Sequence, residues 1–195
     1  MRQTLHRHED GARERILETA YDLFSRRSVR SVGIGELIER ASVAKATLYR
    51  HFPSKDELVL AFLARRGQLW TRDFLEAVAR RRGATADHRL LALFDVLDEW
   101  FQGEDYESCS FVSVLLEMGP NDPLGREAIA QLESVHGVVT GLAVEAGLRD
   151  PAAFARSCQL LINGSIVAAA AGDKDAALVA RQLVQPLIDR DRAGL

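Results

Sequence analysis

Apolar residues recur three and four positions apart along nearly the whole chain, and no segment alternates apolar with polar as a strand would. The pattern predicts helices throughout. The first spans about residues 11–25, with Ile16, Leu17, Ala20, Tyr21 and Phe24 on one stripe. "RRSVRSVG" breaks it. A short second helix carries Ile34, Leu37, Ile38 and Ala41 on one side, and "ASVA" interrupts it. A third covers residues 44–52, with Leu48 and Phe52 on its inner side, and Pro53 stops it. A fourth starts at Ser54 and continues, with a kink near Gly67, to about Arg82. Later helical stretches cover about residues 87–102, 108–118, 124–146, 151–171 and 173–189. "GEDYES", "GPNDP", "GLRDP" and "GDKD" separate them. The expected fold class is all-α, with about nine helices and no internal repeat.

Charge divides the chain unevenly. Residues 1–66 hold 13 Lys and Arg against 9 Asp and Glu, whereas residues 67–195 hold 12 against 19. A basic amino-terminal third on an acidic remainder points to a polyanion partner for the first part only. The two cysteines, Cys109 and Cys158, lie 49 positions apart with no CxxC or Cys/His cluster. They read as buried thiols of a reducing compartment, a disulfide between them being the other reading, and they give no metal signal; no cofactor is expected. The start, "MRQTLHRHEDGARER", lacks an apolar stretch of signal-peptide type. The run "LLINGSIVAAAA" is too short to span a bilayer and contains Asn163 and Ser165. The expectation is a cytoplasmic protein with no membrane partner.

"KATLYRHFPSKDEL", residues 45–58, concentrates hydrogen-bond donors on a short helix. At about 100° per residue, with Leu48 inward, Ala46 and Arg50 point outward and Thr47 and Tyr49 lie on the flanks. Lys45 and His51 fall nearer the apolar edge. A small Ala46 allows close approach and can meet a thymine methyl, while Arg50 can reach guanine O6 and N7. Thr47, Tyr49 and His51 suit phosphate oxygens. Beyond the proline, Ser54 and Glu57 fit a capping box, and Lys55 sits in a first turn that a bound phosphate would favour. A solvated helix face with no partner is the other reading of these residues. The pairing of two short helices across about three residues is a helix-turn-helix pattern, its second helix available to the major groove.

"GIGELIERASVAKATLYRHFPSKDELVLAFL" resembles the DNA-binding region of TetR-family transcriptional regulators, and the resemblance runs over about residues 12–63. It implies that Lys45, Ala46, Thr47, Tyr49 and Arg50 face the groove. It makes Thr47, Tyr49, His51 and Lys55 phosphate contacts. Four positions depart from the family pattern. Ser42 stands where the turn usually has glycine, at a cost of about 1 kcal/mol if the backbone there is left-handed. Ala44 stands where serine or threonine would cap the recognition helix. Val32 and Gly33 stand near where the second helix usually opens with Thr or Ser, and Ser31 is the available substitute.

The resemblance also implies a helix-turn-helix domain at residues 1–60. A shared helix would join it to a helical ligand-binding and dimerisation domain at residues 61–195. The segment "CQLLINGSIVAAAAG" is rich in small residues, and "AALVARQLVQPLI" puts Leu178, Val179, Leu183, Val184 and Leu187 on one broad stripe. Two such helices from each of two subunits would make a four-helix homodimer interface. Alternatively, both stripes pack inside one subunit. Trp70, Phe74, Leu97, Phe101, Phe111, Leu115, His136 and Val139 are candidates to line an apolar pocket for a small, mostly apolar effector. Ordinary core packing is the bland reading of each. "ESVH", residues 133–136, has the Glu-x-x-His spacing of di-iron bundles, but the second copy that chemistry needs is missing. Motifs of nucleophilic, nucleotide-binding and zinc enzymes are missing too. The expected function is therefore non-enzymatic: a homodimeric repressor on a near-palindromic double-stranded DNA operator, released by a small molecule. A helical metal-dependent enzyme and a protein-interaction adaptor are the alternatives.

Overall fold

Helix follows helix in the computed structural model, which describes residues 2–104 and 106–193, and the side chains of 11–104 and 106–192. Helix α1 (Arg2–Arg26) leads through one 3-10 turn (Val29–Ser31) to α2 (Ile34–Arg40) and α3 (Lys45–His51). Helix α4 (Lys55–Arg66) widens into a π-helical segment (Gly67–Glu76) and resumes as α5 (Ala77–Arg82). Then come α6 (Ala86–Gln102), α7 (Ser110–Met118), α8 (Pro123–Glu145), α9 (Pro151–Ala170) and α10 (Ala176–Ala193). With the run from Lys55 to Arg82 taken as one, the described residues form nine helices and no strand, the all-α class read from the periodicity. Where glycine predicted a kink, the helix instead takes a ten-residue π pitch.

Two compact units emerge. One holds Met1–Arg66 with Cys109–Gln131, the other Gly67–Ser108 with Leu132–Leu195. Compactness thus groups the residues differently from a cut after residue 60. Arg66, at the end of α4, is buried and donates to the Tyr21 hydroxyl at 2.9 Å. Glu117, on α7, accepts hydrogen bonds from the backbone of Val29 and Arg30.

In the first unit α1 packs on α2, α3 and α4. Its buried residues Ala12, Ile16, Ala20, Leu23 and Phe24 follow the helical period. They meet a core that includes Leu37, Leu48, Leu58 and Phe62, all fully buried. Phe62 stands edge-on to Tyr21 at 5.7 Å and to Phe24 at 5.6 Å. Emptying that position with Phe62→Ala would cost roughly 3–5 kcal/mol. The turn from α7 to α8 is tightly built. A Cβ on Gly125 would lie 1.8 Å from the Gly119 carbonyl oxygen, so only glycine admits the first turn of α8 there.

In the second unit α6 packs on α5, α9 and α10, and α9 packs on α10. Leu90, Leu93, Phe94, Leu97 and Phe101 form the buried stripe of α6. Thr85 starts that helix by accepting from the His88 amide at 3.3 Å. Asp150 caps α9 by accepting from the Ala153 amide at 3.0 Å, with Pro151 pre-set for the first turn. Most of the apolar run that looked too short for a membrane lies in this 20-residue helix, which is long and apolar enough to cross one by length and composition alone, a test that a core helix also passes. Phe154, Ala155, Cys158, Ile162 and Ile166 are buried on one face of it.

Candidate nucleic-acid interface

The turn before α3 is a Schellman closure. The Ser42 amide donates to the Glu39 carbonyl at 3.1 Å and the Val43 amide to the Ile38 carbonyl at 3.2 Å. That geometry places Ser42 at φ 51°, the left-handed region that glycine occupies without strain. Ala44 then begins α3 with extended backbone and no side-chain cap. Two of the departures read from the sequence, at Ser42 and Ala44, are therefore real features of the turn.

Helix α3 buries Leu48 and Phe52, and the Arg13 guanidinium lies over the Phe52 ring at 5.2 Å. Lys45, Ala46, Tyr49 and Arg50 are exposed, and Thr47 is half-buried. Lys45 makes no ion pair among the described residues. Around the same unit, Arg27 pairs with Glu36 at 2.7 Å and Arg40 with Asp22 at 3.2 Å, and Arg65 pairs with Glu14. Such exposed pairs contribute about 0–1 kcal/mol each. Their effect here is to neutralise those three cations.

Two further candidate contacts, His51 and Lys55, are half-buried. The Nε2 of His51 is enclosed without a hydrogen-bond partner among the described residues. The Lys55 ammonium donates to the Val29 carbonyl oxygen rather than standing in solvent. Burial pulls the Lys55 pKa below the usual lysine range, against the opposing pull of the Glu117 and Asp56 carboxylates. The Ser54 half of the expected capping box is present, its hydroxyl accepting from the Glu57 amide at 3.1 Å.

The effector candidates divide between the units. Phe111 and Leu115 lie in the first; Trp70, Phe74, Leu97, Phe101, His136 and Val139 lie in the second. Trp70 packs edge-on to Trp100 at 5.0 Å, and Trp100 in turn meets Phe101 and Tyr106. His136 is half-buried on α8, where the Thr140 hydroxyl donates to its carbonyl at 2.9 Å. Sequence reasoning missed Tyr106 and Lys174 because both lie in breaks between helices. The Lys174 ammonium sits 4.6 Å over the Tyr106 ring and donates to the Phe101 carbonyl. It also missed Glu117, 88 residues from the turn it binds. No local pattern could have flagged that contact.

The model of bacterial regulatory proteins of the tetR family matches residues 16–62, the stretch that builds α1 to α4. A TetR-family transcriptional regulator from Streptomyces coelicolor superposes with TM-score 0.85 at 28% identity, covering 93% of this chain and 90% of that one. The chain is thus similar to TetR-family regulators, in sequence over residues 16–62 and in fold over 93% of its length. Among curated relatives, the transcriptional activator FasR of Mycolicibacterium smegmatis is 33% identical over 100 residues, 48% of this chain and 44% of FasR. The transcriptional repressor KstR of Rhodococcus jostii is 45% identical over 53 residues, 27% of this chain and 25% of KstR. The chain thus matches less than half the length of these relatives, which are regulators by name and not enzymes.

Proposed function

We propose that this chain is a cytoplasmic transcriptional repressor of the TetR family. It reads operator DNA through Lys45, Ala46, Thr47, Tyr49 and Arg50. The observation that carries this reading is the outward face of α3, exposed and donor-rich behind a Schellman turn. Arg50 is the base-reading side chain, and Thr47 and Tyr49 flank it at the height of the phosphates. A single helix-turn-helix binds weakly, and a two-fold pair on half-sites about 34 Å apart is the usual remedy.

The second copy docks on α9 and α10. Leu160, Val167, Val179 and Leu183 stay 71%, 59%, 52% and 53% exposed there, beside an apolar groove of about 230 Å³. Gly164 and Ala168 on the groove wall allow close helix approach. A small, mostly apolar effector contacts the second unit through some of Trp70, Phe74, Leu97, Phe101, His136 and Val139. By differential binding it favours a state with lower operator affinity.

The test is binding to the DNA flanking the gene of this protein, titrated with salt and with competitor DNA. Tight, competitor-resistant binding that weakens steeply with salt is the expected result. Binding that competitor DNA removes equally at every salt concentration would refute a specific operator there.

A further inference from the structure

We propose that Lys55 supports operator recognition from inside the fold, as one half of a brace with Glu117, and is not a phosphate contact. The inference rests on the reading of α3 as the DNA-reading helix. The Glu117 carboxylate spans two successive amides of the turn between α1 and α2, accepting from Val29 N at 2.9 Å and Arg30 N at 2.7 Å. These amides open a 3-10 turn and have no acceptor within it. Ser28 serves the next position, its hydroxyl accepting from the Ser31 amide.

Lys55 closes the arrangement from the other side by donating to the Val29 carbonyl, within electrostatic reach of Glu117. One peptide group is thus held at both ends: its N–H side by a carboxylate and its carbonyl by an ammonium. The ammonium also offsets a partly buried negative charge that would otherwise be costly. A swing of Lys55 to a phosphate that broke its bond to the Val29 carbonyl would leave Glu117 without its counter-charge. The turn leads directly into α2, and α2 leads through Ser42 into α3. Fixing Val29–Ser31 therefore fixes the start of the helix-turn-helix.

The experiment uses the full chain and a DNA fragment bound specifically by the wild type. Operator affinity is measured across salt concentrations for wild type, Lys55→Met, Glu117→Gln and the double variant. Each variant is assayed well below its own melting temperature and corrected for its folded fraction by circular dichroism. A brace predicts that each single change weakens binding about ten-fold, the scale of one lost charge-assisted hydrogen bond. It predicts that the double variant binds no more weakly than either single one. It also predicts that the slope of log affinity against log salt stays at the wild-type value. Lys55→Arg, which keeps the charge, should restore most of the affinity. A slope reduced by about 0.9 in Lys55→Met, with Glu117→Gln binding like wild type, would identify Lys55 as a phosphate contact and overturn the proposal. Wild-type protein with no specific binding to any DNA would instead overturn the DNA-reading assignment of α3 itself.

Discussion

Helix α3 and the α9–α10 pair both offer side chains to water, but of opposite kinds. On α3 the exposed set is Lys45, Ala46, Tyr49 and Arg50. On α9 and α10 it is Leu160, Val167, Val179 and Leu183. A donor-rich face in water is already solvated and loses little by waiting for a polyanion. An apolar face of this size keeps an unfavourable free energy until something covers it. The first face therefore serves reversible binding, and the second calls for a standing partner. Each prediction below breaks or sharpens that contrast.

The largest effect belongs to the apolar face. Leu183→Asp puts a carboxylate at the centre of the proposed subunit contact, where it would be desolvated without a counter-charge. The expected outcome is a monomer by sedimentation, with helix content kept because Leu183 is exposed within the chain. Operator affinity should fall at least 100-fold once two linked half-site contacts become one, about 2.7 kcal/mol or more. A variant that sediments as the wild type and binds as tightly would remove α9 and α10 from the interface.

Arg50→Ala comes next and acts on the polar face alone. It should cost roughly 1–3 kcal/mol of operator affinity and flatten the preference at one base pair. Competition among operator fragments substituted one position at a time measures this. Equal loss on every fragment would make Arg50 a backbone contact.

The contrast also explains what could be read from the sequence. Around α3 the signals are local. Pro53 ends the helix, Ser54 starts the next, and Leu48 and Phe52 mark the inner face, all within a dozen residues. The strain at Ser42 was readable as a residue type in a turn of known geometry. Lys55 shows the limit of that method. Its helical position allowed both a phosphate and an internal partner, and the internal partner, the Val29 carbonyl, lies on a turn 26 residues earlier that no local pattern marks. The aromatic residues of the second unit were legible as core, yet Tyr106 and Lys174 join them from loops, where periodicity carries no information. The π segment was foreshadowed only by Gly67.

Ser42→Gly tests the local logic at smaller scale. Glycine relieves the left-handed backbone at φ 51° but adds freedom to the unfolded chain, so the gain should be about 0.5–1 kcal/mol. Thermal melting measures it. Operator specificity should not change, because the side chain of Ser42 is not in the reading set. No change in stability would mean that the Ser42 hydroxyl compensates the strain.

The smallest expected signal is a thiol that does not react, and it separates the two faces of α9. Leu160 lies on the face left to solvent, while Cys158, two residues earlier, is 1% exposed. Burial pushes the Cys158 thiol up to about 12. Cys109 is pushed up by burial as well. Both stay protonated at pH 8, and the thiolate is the reactive form. The sign for stability follows. A group whose pKa is raised on folding contributes fully below the pKa of the unfolded thiol, near 8.5, and that contribution is lost as pH climbs from there toward 12. Native protein at pH 8 should therefore take up almost no iodoacetamide by mass spectrometry. Denatured protein should take up two equivalents, one for each cysteine. Rapid labelling of Cys158 in native protein would mean that the inner face of α9 opens to solvent, and the division between a sealed face and a docking face would not hold.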